Sequence, residues 1–335
     1  MQARKSLLSI AVLVALSGAA MADSSTVNTY QDGSSQILNV EQRGATQSTV
    51  NIDQRGSRNS AGTVAGNRSS GTPISQSATY SVLGINQNGS SNFTEASQAG
   101  KDNSATVNQT GSGNQSARLD QSGGYSTATI NQDYNTRTGA SITQGGGNNN
   151  TANTSQSANN TFVSAAISQS GSYNSAGVSQ QNNNNVVSGK VSQSGNSNTG
   201  TVAQQYNQNL VSANVQQNGN NNMGSIGQAG TSFSAASALQ RGDYNTASLY
   251  QNGNVLSADV QQRGNNNFAS STQTGSFNEE TLLQTGNSNR AVVSQTGSGS
   301  YLAANSVGLT QSGNNMVANV TQTGGSGNVA AIYQH

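Results

Sequence analysis

The chain lacks the cysteines that cross-link small exported domains, and it has few of the residues that commonly take part in catalysis. Its 335 residues include no cysteine, no tryptophan and one proline. Without cysteine there can be neither a disulfide nor a thiolate metal site. The only histidine is His335. The sequence therefore offers no histidine cluster for a metal and no imidazole paired with a nucleophile.

Charge is also scarce. Charged residues make up 7% of the chain, against roughly 25% in ordinary soluble domains. The formal net charge is +1, which gives no reason to expect a nucleic-acid partner. A net charge close to zero favours self-association. Disordered chains also have few apolar residues, but they are normally rich in charge and proline, so the composition favours a repeat architecture.

Catalysis has few candidate residues. Glu279 and Glu280 are the only adjacent acidic pair, and in a strand their side chains would point to opposite faces. The sequence contains no phosphate-binding loop and no spacing typical of metal ligands. We predict that the protein is not an enzyme and that it has no catalytic residue, metal or cofactor.

Residues 1–22 have the pattern of a secretory signal peptide. Arg4 and Lys5 precede an apolar run from Leu7 to Leu16, and Ala20-Met21-Ala22 fits a cleavage site. That run is too short to cross the roughly 30 Å core of a bilayer. We expect an exported protein without a membrane span, with a short leader at residues 23–30 and a repeat domain at residues 31–335.

Repetition dominates the rest of the chain. Twenty-six glutamines recur from Gln31 to Gln334, mostly at steps of 11 to 13 residues. Glycine follows two residues after 20 of them, and Ile, Val or Leu precedes 21 of them by two residues. Chance does not align these preferences over 300 residues, so the unit Q-x-G-x-x-N-x-A-x-φ-x-Q, in which φ is apolar, is a structural repeat.

Each unit has the pattern of a strand followed by a tight turn. In the unit that begins at Gln240, alternation places Asn245, Ala247, Leu249 and Gln251 on one face. Glycine supplies the positive φ that the turn needs. Two units make one coil of about 22 residues. We therefore predict an all-β fold, a β-solenoid of about 13 stacked strand–turn–strand coils with two parallel sheets and cross-β stacking.

Stacking in register would explain why amides occupy inward positions, because each amide can donate to one neighbouring coil and accept from the other. The predicted inward ladder comprises Gln98, Asn103, Gln109, Asn114, Gln169, Asn174, Gln193, Asn198, Gln217, Asn222, Gln240, Asn245, Gln262, Asn267, Gln273, Asn278, Gln284 and Asn289. The predicted turn glycines are Gly100, Gly111, Gly171, Gly195, Gly219, Gly242, Gly264, Gly275 and Gly286. The predicted apolar core comprises Val107, Val178, Val202, Ile226, Leu249, Leu282 and Val293.

Three segments depart from the repeat. The interval from Gln54 to Gln76 is interpreted as a double step whose middle glutamine is missing, with Gly66 near its place and a distortion around Pro73. The long step after Gln295 predicts a small loop at Ser298–Asn305. The turn glycine is missing from every second unit of one stretch, which suggests that the two sides of a coil carry different turns. Those units begin at Gln132, Gln156, Gln180 and Gln204.

Tyrosines stand beside asparagines in several turns. We interpret them as residues that pack within the turn rather than as a ligand platform. They are Tyr134, Tyr173, Tyr206 and Tyr244.

The repeat resembles the curlin repeat of bacterial curli fibres over about Gln31 to Gln334. The resemblance implies a secreted subunit that polymerises into functional amyloid on the bacterial surface and serves the biofilm matrix, adhesion and colonisation. It also implies three partners, namely a nucleator subunit, an outer-membrane secretion pore and a periplasmic chaperone. The chain has more repeats and a shorter leader than fibre subunits of that family, and its uncharged, regular last repeat favours the major subunit.

We interpret the protein as a self-assembling structural subunit that polymerises head to tail. Its assembly edges would be the first and last coils, with Gln31 and Gln42 at one end and Gln322 and Gln334 at the other. The alternative is a monomeric β-solenoid that acts as an adhesin or binds ice or a polysaccharide. That function would need a regular outward row, and outward Ser, Thr and Asn are mixed here.

Overall fold

The computed structural model describes residues 24–63 and 72–335, and every helix or strand assigned in these ranges is a β-strand. The strands form two parallel stacks, which we call stack A and stack B. Each coil contributes one strand to each stack, and successive coils are offset by about 23 residues. The prediction of an all-β solenoid with about 13 coils is confirmed.

The strand bounds follow the repeat. The strands of stack A alone are β1 (Thr26–Ser34), β4 (Thr49–Ser57), β7 (Val82–Ser90), β9 (Ser104–Ser112), β11 (Thr127–Asp133), β13 (Thr151–Ser157), β15 (Ser175–Gln181), β17 (Thr199–Gln205), β19 (Met223–Ala229), β23 (Arg290–Ser298) and β25 (Val317–Thr323). The strands of stack B alone are β2 (Ile37–Leu38), β3 (Val40–Gln42), β5 (Ser60–Ala61), β6 (Ile74–Thr79), β8 (Phe93–Lys101), β10 (Ser116–Gln121), β12 (Thr136–Gly145), β14 (Asn160–Ser170), β16 (Val187–Ser194), β18 (Val211–Asn218), β20 (Ala235–Arg241), β24 (Asn305–Ser312) and β26 (Val329–Gln334). The strands β21 (Thr246–Arg263) and β22 (Phe268–Thr285) continue through the turn and contribute to both stacks.

The register between coils is set by the repeat itself. Gln98 lies opposite Gln121, and Gln121 lies opposite Gln144. The five residues before each of these glutamines are paired in the same register. Buried and more exposed residues alternate along the strands between the end coils, as in β15. The inward small and branched residues form one continuous apolar core between the stacks. All seven residues of the predicted apolar core are buried there.

The interval from Gln54 to Gln76 does not hide a missing repeat, so that interpretation was wrong. Ile37 pairs with Ser60 and Gln42 pairs with Gln76, which makes β5 and β6 two pieces of one strand. The residues between them are an insertion inside the strand, and the backbone N–H of Thr63 donates to the carbonyl of Thr72 where the insertion begins and ends. The insertion is about as long as one repeat, which is why it resembled one. Gly66 lies outside the described residues.

The two edges of the solenoid differ, as predicted. We call the turns that lead from stack A to stack B the A–B edge, and those that lead from stack B to the next coil the B–A edge. The glycine-free turns after Gln132, Gln156, Gln180 and Gln204 all follow strands of stack A and lie on the A–B edge, whereas the one after Gln76 lies on the B–A edge. The predicted loop at Ser298–Asn305 is confirmed, since β23 ends at Ser298 and β24 begins at Asn305.

The predicted signal peptide, residues 1–22, lies outside the described residues. Where the structure describes the chain, it contains no helix long and apolar enough to span a bilayer.

Candidate functional site: the amide ladders and the end coils

A ladder of glutamine amides runs through the interior of each stack. The Nε2 of Gln98 donates to the Oε1 of Gln121 at 2.9 Å, and it also donates to the backbone carbonyl of Val82 at 3.1 Å. Gln193 repeats both contacts, to Gln217 at 2.8 Å and to the carbonyl of Ser175 at 3.0 Å. Both amide hydrogens and the amide oxygen are thereby used, so these buried amides avoid the cost of unpaired polar groups.

The glutamine ladder has a direction. In each pair the Nε2 belongs to the coil nearer the N-terminus and the Oε1 to the next coil, from Gln31 and Gln54 at 2.7 Å to Gln311 and Gln334 at 2.8 Å. The coil at the N-terminal end therefore has amide oxygens without a ladder donor. The coil at the C-terminal end has amide hydrogens without a ladder acceptor.

Asparagines form a second ladder on the B–A edge, where they bind the turns together. The Oδ1 of Asn222 accepts the backbone N–H of Asn245 at 3.0 Å and its Nδ2–H at 3.1 Å. The Nδ2 of Asn245 also donates to the carbonyl of Gly264 at 2.8 Å. Asn245 is thus hydrogen-bonded to the coils on either side.

One predicted ladder position was wrong. Asn114 is exposed with φ 56°, and the buried position belongs to Gln115. The step from Gln109 to Gln121 is 12 residues rather than 11, and the extra residue lies in the turn. The inward position is fixed by the strand that follows, so it moves by one residue. Every other residue of the predicted inward ladder is buried.

A further ladder on the A–B edge was missed from the sequence. Asn135, Asn159, Asn183 and Asn207 are buried in the glycine-free turns. The backbone N–H of Asn159 donates to the Oδ1 of Asn135 at 2.9 Å, and Asn183 and Asn159 repeat that contact. The signal was present as Q-x-x-N in the four units without the turn glycine.

The turn glycines form columns in which backbones approach closely. All nine predicted turn glycines have positive φ. At Gly219, with φ +126°, an added Cβ would lie 2.1 Å from the carbonyl oxygen of Gly242 in the next coil. Both the backbone angle and the stacking distance therefore require glycine.

Replacing Gly219 by alanine is expected to destabilise the solenoid by about 1–3 kcal/mol or more, from backbone strain together with the clash. Gly308→Ala is the matched control, because Gly308 has open space and lacks the positive φ. Denaturant midpoints of the two variants check this. Equal midpoints would show that the glycine column does not constrain the turn.

Among the residues that the structure describes, one acidic side chain lies in the core. Glu280 is buried while Glu279 is exposed, which confirms that the pair points to opposite faces. The hydroxyl of Ser271 donates to one carboxyl oxygen of Glu280, and the other oxygen has no partner among the described residues. Burial raises the pKa of Glu280 to about 7, although the Ser271 hydrogen bond opposes the rise.

The end coils are the least covered parts of the stacks. Within the described ranges, β1 pairs only with β4, β25 only with β23 and β26 only with β24. Tyr30 and Tyr333 are exposed, and Gln31, Gln42, Gln322 and Gln334 are only partly buried.

A family model, the curlin associated repeat, matches residues 81–111 and 100–133. The chain contains curlin repeats. The matched residues span β7 to β11, and the same register of glutamine on glutamine continues through the coils on either side. No curated protein matches the chain. The curlin repeat family is a family of structural fibre subunits.

Proposed function

We propose that this protein is the secreted major subunit of a curli-like extracellular amyloid fibre that serves the biofilm matrix, adhesion and surface colonisation. In this proposal residues 1–22 direct export, and the repeat domain, whose first strand begins at Thr26 rather than at the predicted Gln31, forms the polymerising unit. A secretion pore, a periplasmic chaperone and a nucleator subunit act on it, as the curlin resemblance implies. The observation that carries the proposal is the direction of the glutamine ladder and its two open ends.

The two ends are complementary. If β25 of one copy is followed by β1 of the next, Gln322 donates to the free Oε1 of Gln31, as Gln295 donates to Gln322 within the chain. The same register places Gly324 opposite Gly33, and both glycines have positive φ. In stack B, β26 is followed by β3, with Gln334 opposite Gln42. Both stacks therefore continue together.

Contact between two like ends is unfavourable for the same reason. Two N-terminal ends would place amide oxygens against amide oxygens, and two C-terminal ends would place N–H groups against N–H groups. Unpaired polar groups in a dry interface are costly. A head-to-tail contact that does not close gives a polar filament.

Cysteine cross-linking tests this register in a chain that has no cysteine of its own. Tyr30 and Thr321 are outward residues that would lie side by side across the junction. Neighbouring strands are roughly 4.8 Å apart, which is within disulfide range. We expect the double variant Tyr30→Cys, Thr321→Cys to give a ladder of covalent oligomers during assembly.

The single variants are the controls. Neither Tyr30→Cys nor Thr321→Cys alone should form dimers, whereas an equal mixture of the two should form heterodimers. Dimers from either single variant would indicate a contact between like ends and contradict the polarity. A chain that stays a β-rich monomer after release from denaturant would instead favour a monomeric solenoid.

A further inference from the structure

The A–B edge carries a column of exposed apolar side chains. In six successive coils the last residue of the A–B turn is large and apolar. It directly precedes the first inward residue of the stack B strand, as Phe162 precedes Val163. The inward residues that follow are stacked in register, as Val163 with Val187 and Leu256 with Asn278. In the next coil the Ser298–Asn305 loop lies on the same edge. We call this column the apolar ridge, and it comprises Phe162, Val186, Leu210, Phe233, Val255, Phe277 and the loop tip Tyr301-Leu302.

All of these side chains except Phe277, which is half-buried, are exposed to solvent. Phe162, Leu210 and Phe233 are 61%, 60% and 55% exposed, and the loop tip at Tyr301 and Leu302 is exposed further still. Exposed apolar residues are ordinary when they occur singly. A contiguous row of them marks an interaction surface more often than a structural need.

Local folding does not account for the apolar ridge. The six turn residues have positive φ, including 37° at Val186 and 55° at Val255. That conformation is disfavoured for large side chains and most of all for β-branched ones, whereas asparagine tolerates it. Other coils use Ser91 and Asn114 at the same place in the turn. Selection for stability alone would favour asparagine here.

Each of the six turns that carry the ridge residues is free of charged residues, although charged residues such as Lys190 and Arg241 occur elsewhere in the same coils. No charge repels a second neutral surface, and no basic residue is present there to favour an anionic lipid surface. A tyrosine that was interpreted as a turn-packing residue widens the patch, because Tyr206 is exposed in one of these turns. The chemistry that fits the ridge is another uncharged apolar surface.

One ridge is too small to hold two free subunits together. Aromatic side chains bury on the order of 150–250 Å² each when fully covered, aliphatic ones are smaller, and the ridge residues are only partly exposed and form a single row. A stable interface needs about 800 Å² per partner. Two monomers should therefore not pair through it in solution.

Polymerisation changes this balance. The ridge runs parallel to the axis along which coils stack, so head-to-tail growth repeats it on one line of the filament. Many weak contacts along two filaments then act together. We propose that the apolar ridge binds the ridge of a second copy in a neighbouring filament and drives lateral bundling, an inference that rests on the proposed function.

The test replaces ridge residues by asparagine, which suits the turn conformation. The ridge variant is Phe162→Asn, Leu210→Asn, Phe233→Asn. The matched control is Tyr125→Asn, Tyr173→Asn, Tyr244→Asn, which removes three aromatic side chains of similar exposure and positive φ from the B–A edge. On that edge the tyrosines lie in alternate or more distant coils and form no continuous row.

Fibre width by electron microscopy and pelleting at low speed are the readouts, alongside seeded elongation rates. We expect the wild-type chain and the control to form bundles. The ridge variant should give single filaments that elongate at the wild-type rate and no longer pellet at low speed.

Two results would overturn the inference. One is a ridge variant that still bundles like the wild type, and the other is a control that loses bundling to the same extent. Either would leave the proposed function intact, because fibres still form. A wild-type chain that forms no fibre would contradict the proposed function itself. It would also contradict the lateral contact, which requires filaments.

Discussion

Replacing Gln204 by glutamate is expected to destabilise the solenoid by about 3–5 kcal/mol, the usual cost of an uncompensated buried charge. The Nε2 of Gln204 donates to the Oε1 of Gln228 at 2.8 Å and to the carbonyl of Ser188 at 3.1 Å. In an ionised glutamate a carboxylate oxygen would take the place of the Nε2 donor and would face both acceptor oxygens in the interior. Because Gln228 is buried, its Oε1 would lose its donor without compensation from solvent, so the ladder would break at that coil.

The neighbouring residue provides the control. Gln205 is exposed on the opposite face of the same strand, so Gln205→Glu should change stability by no more than about 0.5 kcal/mol. Denaturant midpoints of the freshly released chains measure both effects. Equal midpoints for the two variants would mean that the ladder amides contribute little. Low pH should partly restore Gln204→Glu, because a protonated carboxyl can donate again.

Stability is expected to fall as pH rises from about 4.5 to about 7 because of Glu280. Its pKa is raised from the ordinary 4.5 to about 7 by burial, so the folded state holds a proton that the unfolded state has released. The favourable contribution is therefore fully present below pH 4.5 and lost as pH rises through 7. The size of the shift corresponds to about 3 kcal/mol.

Glu280→Gln should remove this pH dependence while leaving stability at pH 4.5 close to that of the wild type. Glu279→Gln, which changes the exposed neighbour, should retain it. Unfolding curves measured across the same pH range separate the two. A wild-type chain that is equally stable at pH 4.5 and pH 7.5 would contradict the assignment of Glu280 as a protonated core residue.

The ladder and the buried acid concern the same property, which is how little the interior tolerates unpaired polar groups. The amides are stable inside because each coil supplies the partner of the next. The first and last coils are the two places where that supply ends. This is why the proposed polymerisation follows from the same contacts that stabilise the fold.

Much of the fold could be predicted from the sequence. Period-two alternation and the spacing of glutamine and glycine indicated strands, turns and parallel register, because each preference reflects a local requirement of backbone or burial. The opposite orientations of Glu279 and Glu280 followed from the same alternation. These features depend on residues close together in the chain and on the identity of one repeat with the next.

Other features depended on contacts that spacing does not encode. The segment between Ala61 and Ile74 has the length of a repeat, and only the pairing of Gln42 with Gln76 identifies it as an insertion within one strand. Asn114 satisfied the motif, but the strand after it determined that Gln115 faces inward. A one-residue change in a turn is invisible to a motif counted from the preceding strand.

By itself, the sequence determined the solenoid class, the inward amides and the turn glycines, because a repeated local pattern must stack on itself to pair its polar groups. Only the tertiary structure decided the direction of the glutamine ladder and the alignment of Phe162, Leu210 and Phe233 on one edge. Direction depends on which atom of each amide faces which coil. Alignment depends on how turns of unequal length are superimposed by the strands they join.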